Sequence, residues 1–345
     1  MDTRSETSAR ARRRHVGLIV LALFAAGCHK RVKRAPTTTT AATEPAAKVA
    51  ANPDENRAPA ALSEGPPPLL TPAIKFLPVD GLRGPAAVIH DEASDAYLVS
   101  NVDGRPAAAD GRGFISKLSP DGKKILLRWI DAGKNNVVLN APKGMALRGN
   151  ELYVADIDTV RIFHRITGTP LGEVKVPGTK YLTDAALGPD GCILVSDAGL
   201  KARTDDSLEE SGTDSIYAIY RDHRSTNIVL VAKNSVAGPA ALLPTDKKLW
   251  AVTRAGELFS VDPQGKRDDI QKLPAGDLGG LVPIGGQLLV SSRAANAIFR
   301  GTLDGTWWVA IGDVKSPGRL TYDRKRSRVI VPLSSEDEVR IYNLR

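Results

Sequence analysis

Six times between Gly84 and Arg345 the chain repeats one short phrase. A Gly- or Pro-marked apolar stretch leads into a second apolar strand that ends in small and polar residues. The second strands read AYLVSNVDG, ELYVADID, CILVSDAG, KLWAVTRAG, QLLVSSRAA and RVIVPLSSE. Their units open at Gly84, Ala141, Tyr181, Gly238, Leu278 and Ser316, with spacings of 57, 40, 57, 40 and 38 residues. A unit of about 40 residues that parses as four strands is the size of a propeller blade, which buries its faces only against neighbouring blades. The expected fold is therefore all-β, a six-bladed β-propeller.

Alternation and turn residues divide the second unit into PKGMALR, ELYVADI, VRIFHRI and LGEVKVP, and the fifth into GLVPIG, QLLVSS, AIFRGT and WWVAIG. The sixth supplies LTYD, SRVIVPL and EVRIYNL and then lacks a fourth strand. A spare strand, Ile74 to Val79, precedes the first unit, so the N-terminal strand is expected to complete the last blade and remove an open edge. Both 57-residue units carry insertions between their second and third strands, Val102 to Gly113 and Gly199 to Thr213. Such loops lie on one rim of the channel, as a functional wall or as neutral elaboration.

Outside the repeat, Arg10, Arg12, Arg13 and Arg14 precede an apolar run from Val16 to Ala26, followed by Gly27 and Cys28. A charged, then apolar, then small-residue order is that of an export signal, and the run is too short for a transmembrane helix. Ala25-Ala26-Gly27-Cys28 resembles a bacterial lipobox with Ala in place of the usual Leu. Cys28 is thus expected to be lipidated; a plain signal peptide is the alternative. The next stretch is rich in Ala, Pro and Thr and reads as a disordered tether. The expected organisation is a signal peptide at 1–27, anchor and linker at 28–72, and propeller at 73–345, placing the protein on a membrane of the bacterial cell envelope.

The formal charge of +8 has a local origin. Residues 1–34 hold nine Lys or Arg against Asp2 and Glu6, a surplus of seven, so the remainder carries only +1. A basic nucleic-acid face on the propeller is not supported. Lys30, Arg31, Lys33 and Arg34 either meet anionic headgroups or are merely solvated.

No nucleophile elbow, phosphate loop or zinc motif is present. His15, His29, His90, His164 and His223 are scattered, and Cys192, inside a strand, reads as a small buried hydrophobe. Asn101, Asp103, Asp156, Asp158 and Asp197 occupy equivalent strand ends, either as a polar rim of the channel or as caps on turn amides. Lys143, at the start of an inner strand, either binds an anionic ligand, pairs with Asp184, or makes an inter-blade contact. Trp307 and Trp308 read as outer-strand packing, with a sugar or partner contact as the alternative.

At NVDG, GRGFISKLSPDGK, LNAPKGMAL, ELYVADIDTVRIF, LTDAALGPDG and LVSDAG the chain resembles the bacterial gluconolactonase and senescence-marker-protein-like six-bladed propellers. That resemblance covers about residues 74–345. It implies a divalent metal (Ca, Mn or Zn) at the channel mouth, polarising a lactone carbonyl or activating water. The implied ligand positions fall on Arg83-Gly84-Pro85-Ala86, Thr183-Asp184, Gly238-Pro239-Ala240-Ala241 and Gly279-Gly280. Arg83, Ala240 and Gly279 have therefore replaced ligands, and only Asp184 remains. Two readings result: a lipid-anchored binding or scaffold propeller with a small-molecule or protein ligand at its mouth, or a lactone or ester hydrolase rebuilt around Asp184 and Lys143.

Overall fold

The computed structural model describes residues 70–74 and 79–344 apart from residues 223, 235 and 304. The leader, Cys28 and the first part of the linker lie outside the described residues. Six four-stranded antiparallel sheets follow one another along the chain. The first three blades begin with the strands Pro85–Asp91, Pro142–Arg148 and Leu182–Leu187; the last three begin with Pro239–Pro244, Leu278–Ile284 and Thr321–Asp323. In each of the first five blades the four strands pair in chain order.

Six hydrophobic clusters hold the ring, and each straddles two adjacent blades. The second strand of blade 2, Glu151–Asp156, shows why alternation in the sequence looked blurred. Leu152 and Val154 pack toward blade 1, while Tyr153 and Ala155 pack toward blade 3. Side chains alternate between faces with period two, but both faces are interior here, so the run reads as continuously apolar. Cys192 is buried between blades 3 and 4. Burial, with Asp190 adding to it, pushes its thiol up to about 12. Trp307 packs between blades 4 and 5, and Trp308 is also buried on that outer strand, as expected.

Blade 6 is completed from the other end of the chain. Its strands Thr321–Asp323, Arg328–Leu333 and Glu338–Leu344 take Leu70–Ile74 as the outermost fourth. The clasp exists, but it sits earlier than the expected Ile74 to Val79 and crosses the expected linker boundary at residue 72. Apolar content alone favoured IKFLPV; pairing instead fixes Leu70 opposite Leu344 and Ile74 opposite Ile341. Innermost closure is by backbone: Val88 N donates to Arg319 O at 3.0 Å and Arg319 N to Ala86 O at 2.9 Å.

Candidate functional site: a cationic channel mouth

One irregularity repeats around the ring. In each of blades 1 to 5 the pairing of first and second strands slips by one residue near the start of the inner strand. The slips fall between Pro85 and Ala87, Pro142 and Met145, Leu182 and Asp184, Pro239 and Ala241, and Leu278 and Gly280. A bulge leaves one residue unpaired and re-aims its side chain. The residues at these slips are Ala86, Lys143 with Gly144, Thr183, Ala240 and Gly279, and all of them line one cavity of about 440 Å³ at the channel mouth. The inserted loops wall it: Val102, Gly104 and Pro106 from blade 1, and Leu200 and Leu208 from blade 3. In blade 3 the insertion folds as a small hairpin, Leu200–Ala202 against Leu208–Glu210.

Lys143 is the one ionisable side chain among these bulge residues. Its Nζ donates to Pro106 O at 2.8 Å and Ala141 O at 3.1 Å, and stands 4.2 Å from the centre of the Tyr181 ring. Burial pushes its ammonium down to about 8, against a weaker opposing pull from Asp156. Two neutral carbonyls and a ring face hold the cation in place without neutralising it.

Arginines complete the mouth. Arg254 and Arg293 share one carboxylate, Asp277, at 3.4 and 3.8 Å. A β-carbon built at Gly279 would stand 3.2 Å from the Arg293 guanidinium, so that guanidinium lies in the space a fifth-blade ligand side chain would enter. Arg319 reaches in from blade 6, its Nε 2.5 Å from Asp184 Oδ1 in an ion contact without hydrogen-bond alignment. Asp184 is fully buried and also accepts from the amides of Leu242 and Ala185, both at 2.8 Å. Its burial favours the protonated form, and Arg319 opposes that. Four cationic side chains, Lys143, Arg254, Arg293 and Arg319, thus meet two carboxylates, Asp277 and Asp184, a surplus of two positive charges.

The geometry decides between readings that the sequence left open. Lys143 does not pair with Asp184, because Arg319 occupies that carboxylate. Arg83 does not point into the cavity; it pairs with Asp337 at 3.2 Å on the exposed side. Asn101, Asp103, Asp156, Asp158 and Asp197 do not line the cavity. Asn101, Asp156 and Asp197 are caps: they accept backbone amides of Arg83, Ala141 and Tyr181, just ahead of the inner strands of their own blades. Asp103 is held by Arg128 at 2.6 Å, and Asp158 accepts from Thr159 at 2.9 Å.

A divalent cation does not fit these residues. Hard cations require several oxygen ligands, whereas the bulge positions offer Ala86, Ala240 and Gly279, and Asp184 is already neutralised. Among the described residues no three His, Cys, Asp or Glu side chains converge as a metal-binding group.

Sequence reasoning missed Arg254, Arg293, Arg319 and Asp277. A usable signal was present for two of them. Arg254 and Arg293 directly follow the second strands of blades 4 and 5, in VTRAG and VSSRAA, at the position where blades 1 to 3 carry the apolar Val102, Ile157 and Ala198.

No protein-family model matches the chain, and no curated protein sequence is similar to it. Solved structures do share its architecture. A putative gluconolactonase superposes with a TM-score of 0.55 at 16% identity, covering 76% of this chain and 89% of that one. A gluconolactonase from Xanthomonas campestris gives 0.52 at 17%, covering 81% and 98%. A streptogramin B lyase gives 0.52 at 14%, covering 76% and 94%. At these identities the likeness is one of fold, and the chain is a six-bladed β-propeller with gluconolactonase-like neighbours. Chemistry is decided by the residues at the mouth.

Proposed function

We propose that this propeller is a binding protein for a small anionic molecule, held at the channel mouth by Arg254, Arg293 and Lys143. The observation that carries this reading is the two-charge cationic surplus inside a walled cavity whose bulge positions provide no metal ligands. Such a cavity favours carboxylate or phosphate groups, which guanidinium forks bind through paired hydrogen bonds. A metal-dependent lactone hydrolase is the weaker reading, since its cation would face a surplus of positive charge and no free carboxylate.

The test is a thermal-shift and calorimetric screen of the full-length protein against phosphate, small mono- and dicarboxylates, neutral sugars and lactones. Anions should stabilise it and neutral sugars should not. Replacing Arg254 and Arg293 together by Ala should weaken anion binding roughly tenfold or more, since a hydrogen bond to a charged group is worth about 1.5–3 kcal/mol. Lactone turnover that depends on added Ca, Mn or Zn would overturn the reading.

The cellular setting is part of the proposal and rests on sequence alone. The Arg-rich start, the apolar run and Cys28 support export and lipid anchoring in the bacterial envelope, with the Ala/Pro/Thr-rich segment as tether. Membrane fractionation of wild type against Cys28→Ala tests it: release of the variant is expected, and an unchanged membrane pool rules out lipidation as the cause of attachment.

A further inference from the structure

We propose that Lys143 forms a reversible imine with a small carboxylate that also bears an aldehyde or ketone, of the 2-oxo acid class. This rests on the anion-binding reading above, because Arg254 and Arg293 are the groups that would hold the carboxylate. Four observations converge on it. The bulge in blade 2 places Lys143 on the wall of the cavity at the channel mouth, so its side chain is buried yet lines a space that a ligand can enter. Nζ is fixed by Pro106 O and Ala141 O at 2.8 and 3.1 Å, which orients it with no carboxylate in contact and only a weaker pull from Asp156 toward the protonated form. The neighbouring bulge residues Ala86, Ala240 and Gly279 are small and offer no competing side-chain nucleophile. Burial also lowers its pKa to about 8, so a useful fraction of neutral amine exists near neutral pH, as for other desolvated lysines that attack carbonyls.

The step balances without a co-reactant. Neutral Nζ attacks the carbonyl carbon, the C=O π electrons move to oxygen, and proton transfer from nitrogen to oxygen gives a carbinolamine. Loss of that oxygen as water leaves a C=N bond to Nζ. One C=N replaces one C=O, and nothing is oxidised or reduced.

The experiment uses the full-length protein with pyruvate or glyoxylate as probe and cyanoborohydride to fix the imine as a secondary amine. Intact mass should rise by the mass of one probe less one oxygen atom, and peptide mapping should place the adduct on Lys143. Trapping should disappear in Lys143→Met. It should disappear equally in Lys143→Arg, which keeps the charge and guards against a Met variant that fails to fold. Arg254→Ala with Arg293→Ala should slow trapping at least tenfold, and acetone, which lacks the carboxylate, should label poorly. Lactate provides the arm that separates the two readings. If lactate and pyruvate both stabilise the protein but no adduct forms on Lys143, imine formation is refuted while anion binding stands. If neither stabilises it and labelling spreads over surface lysines, both fail.

Discussion

Lys143 and Gly144 show how much one bulge concentrates. A β-carbon at Gly144 would lie 2.5 Å from Asp184 Cα, so the inner strands of blades 2 and 3 approach as closely as they do only because no side chain intervenes. Gly144→Ala should therefore destabilise the fold by about 1–3 kcal/mol, the usual cost of overpacking, read as a lower urea midpoint; an unchanged midpoint would show that the strands separate freely. For Lys143 the prediction concerns pH. Its folded-state value near 8 lies below the ordinary 10.5, so between these values the unfolded chain binds more protons and stability rises with pH. Lys143→Met removes that dependence. The variant should gain on wild type most at pH 7, and the difference should shrink by roughly 2–3 kcal/mol by pH 10.5, since each tenfold change in proton affinity is worth about 1.4 kcal/mol. Urea titrations at both pH values decide it, and a pH-independent difference would sink the burial argument. At this scale the sequence was half legible. Lys143 stood out as a cation at an inner-strand start, but its partners did not, since the carbonyl of Pro106 belongs to an insertion from another blade. Asp184 was legible as a survivor, yet Arg319 neutralises it from 135 positions further along the chain, a distance no local motif spans.

Elements were the most readable level. PKGMALR and QLLVSS appear as the strands Pro142–Arg148 and Gln287–Ser292 residue for residue, because period-two patterning and Gly or Asn turns specify a strand locally. The clasp was displaced because its position is set by a partner strand, Glu338–Leu344, and not by its own composition. Without Leu70–Ile74 that partner would present a bare edge. Removing residues up to 78 should lower the thermal midpoint by at least ~5 °C relative to a chain beginning at Pro59, the shift that about 2 kcal/mol produces in a domain of this size, and should promote self-association. Scanning calorimetry and light scattering check this; equal midpoints would mean that three strands suffice to seal blade 6. The hairpin Leu200–Ala202/Leu208–Glu210 carries a different expectation, because its Leu200 and Leu208 wall the cavity. Replacing it by a short Gly-Ser turn should weaken anion binding severalfold and leave the calorimetric midpoint nearly unchanged.

Over the whole molecule, the ring's seams are not built alike. Three of them are stapled by ion pairs on the face opposite the cationic mouth. Arg165 binds Asp91 across blades 1 and 2, Arg221 binds Glu151 across blades 2 and 3, and Arg326 holds Asp95 at 2.5 Å across blades 6 and 1. Tyr97 adds a hydrogen bond to Asp323, 2.6 Å long, at the 6–1 seam. Between blades 4 and 5 the corresponding contacts are neutral, Gln271 to Leu303 O and Trp307 to Gln271. All four carboxylates titrate below their ordinary values. At Asp91 burial opposes ionisation but Arg165 and Ser94 outweigh it; at Asp95 the Arg326 guanidinium leads. At Glu151 and Asp323 burial is again outweighed, by Tyr153, Arg148 and Arg221 in the first and by Tyr97 and Arg326 in the second. A depressed carboxylate stabilises the fold above its unfolded value, 3.8 for Asp and 4.5 for Glu, and that stabilisation is lost as pH falls through the folded value. Acid should therefore loosen the ring unevenly. In hydrogen exchange stepped downward from pH 5, amides of blades 1 and 2 and of the closing strands of blade 6 should lose protection first, while blades 4 and 5, joined by Leu278, Phe299 and Trp307, hold theirs longer. Arg165→Met should bring the 1–2 seam apart at higher pH than wild type. Simultaneous loss across all six blades would mean that closure makes the ring a single cooperative unit, with the ion pairs contributing little to where it opens.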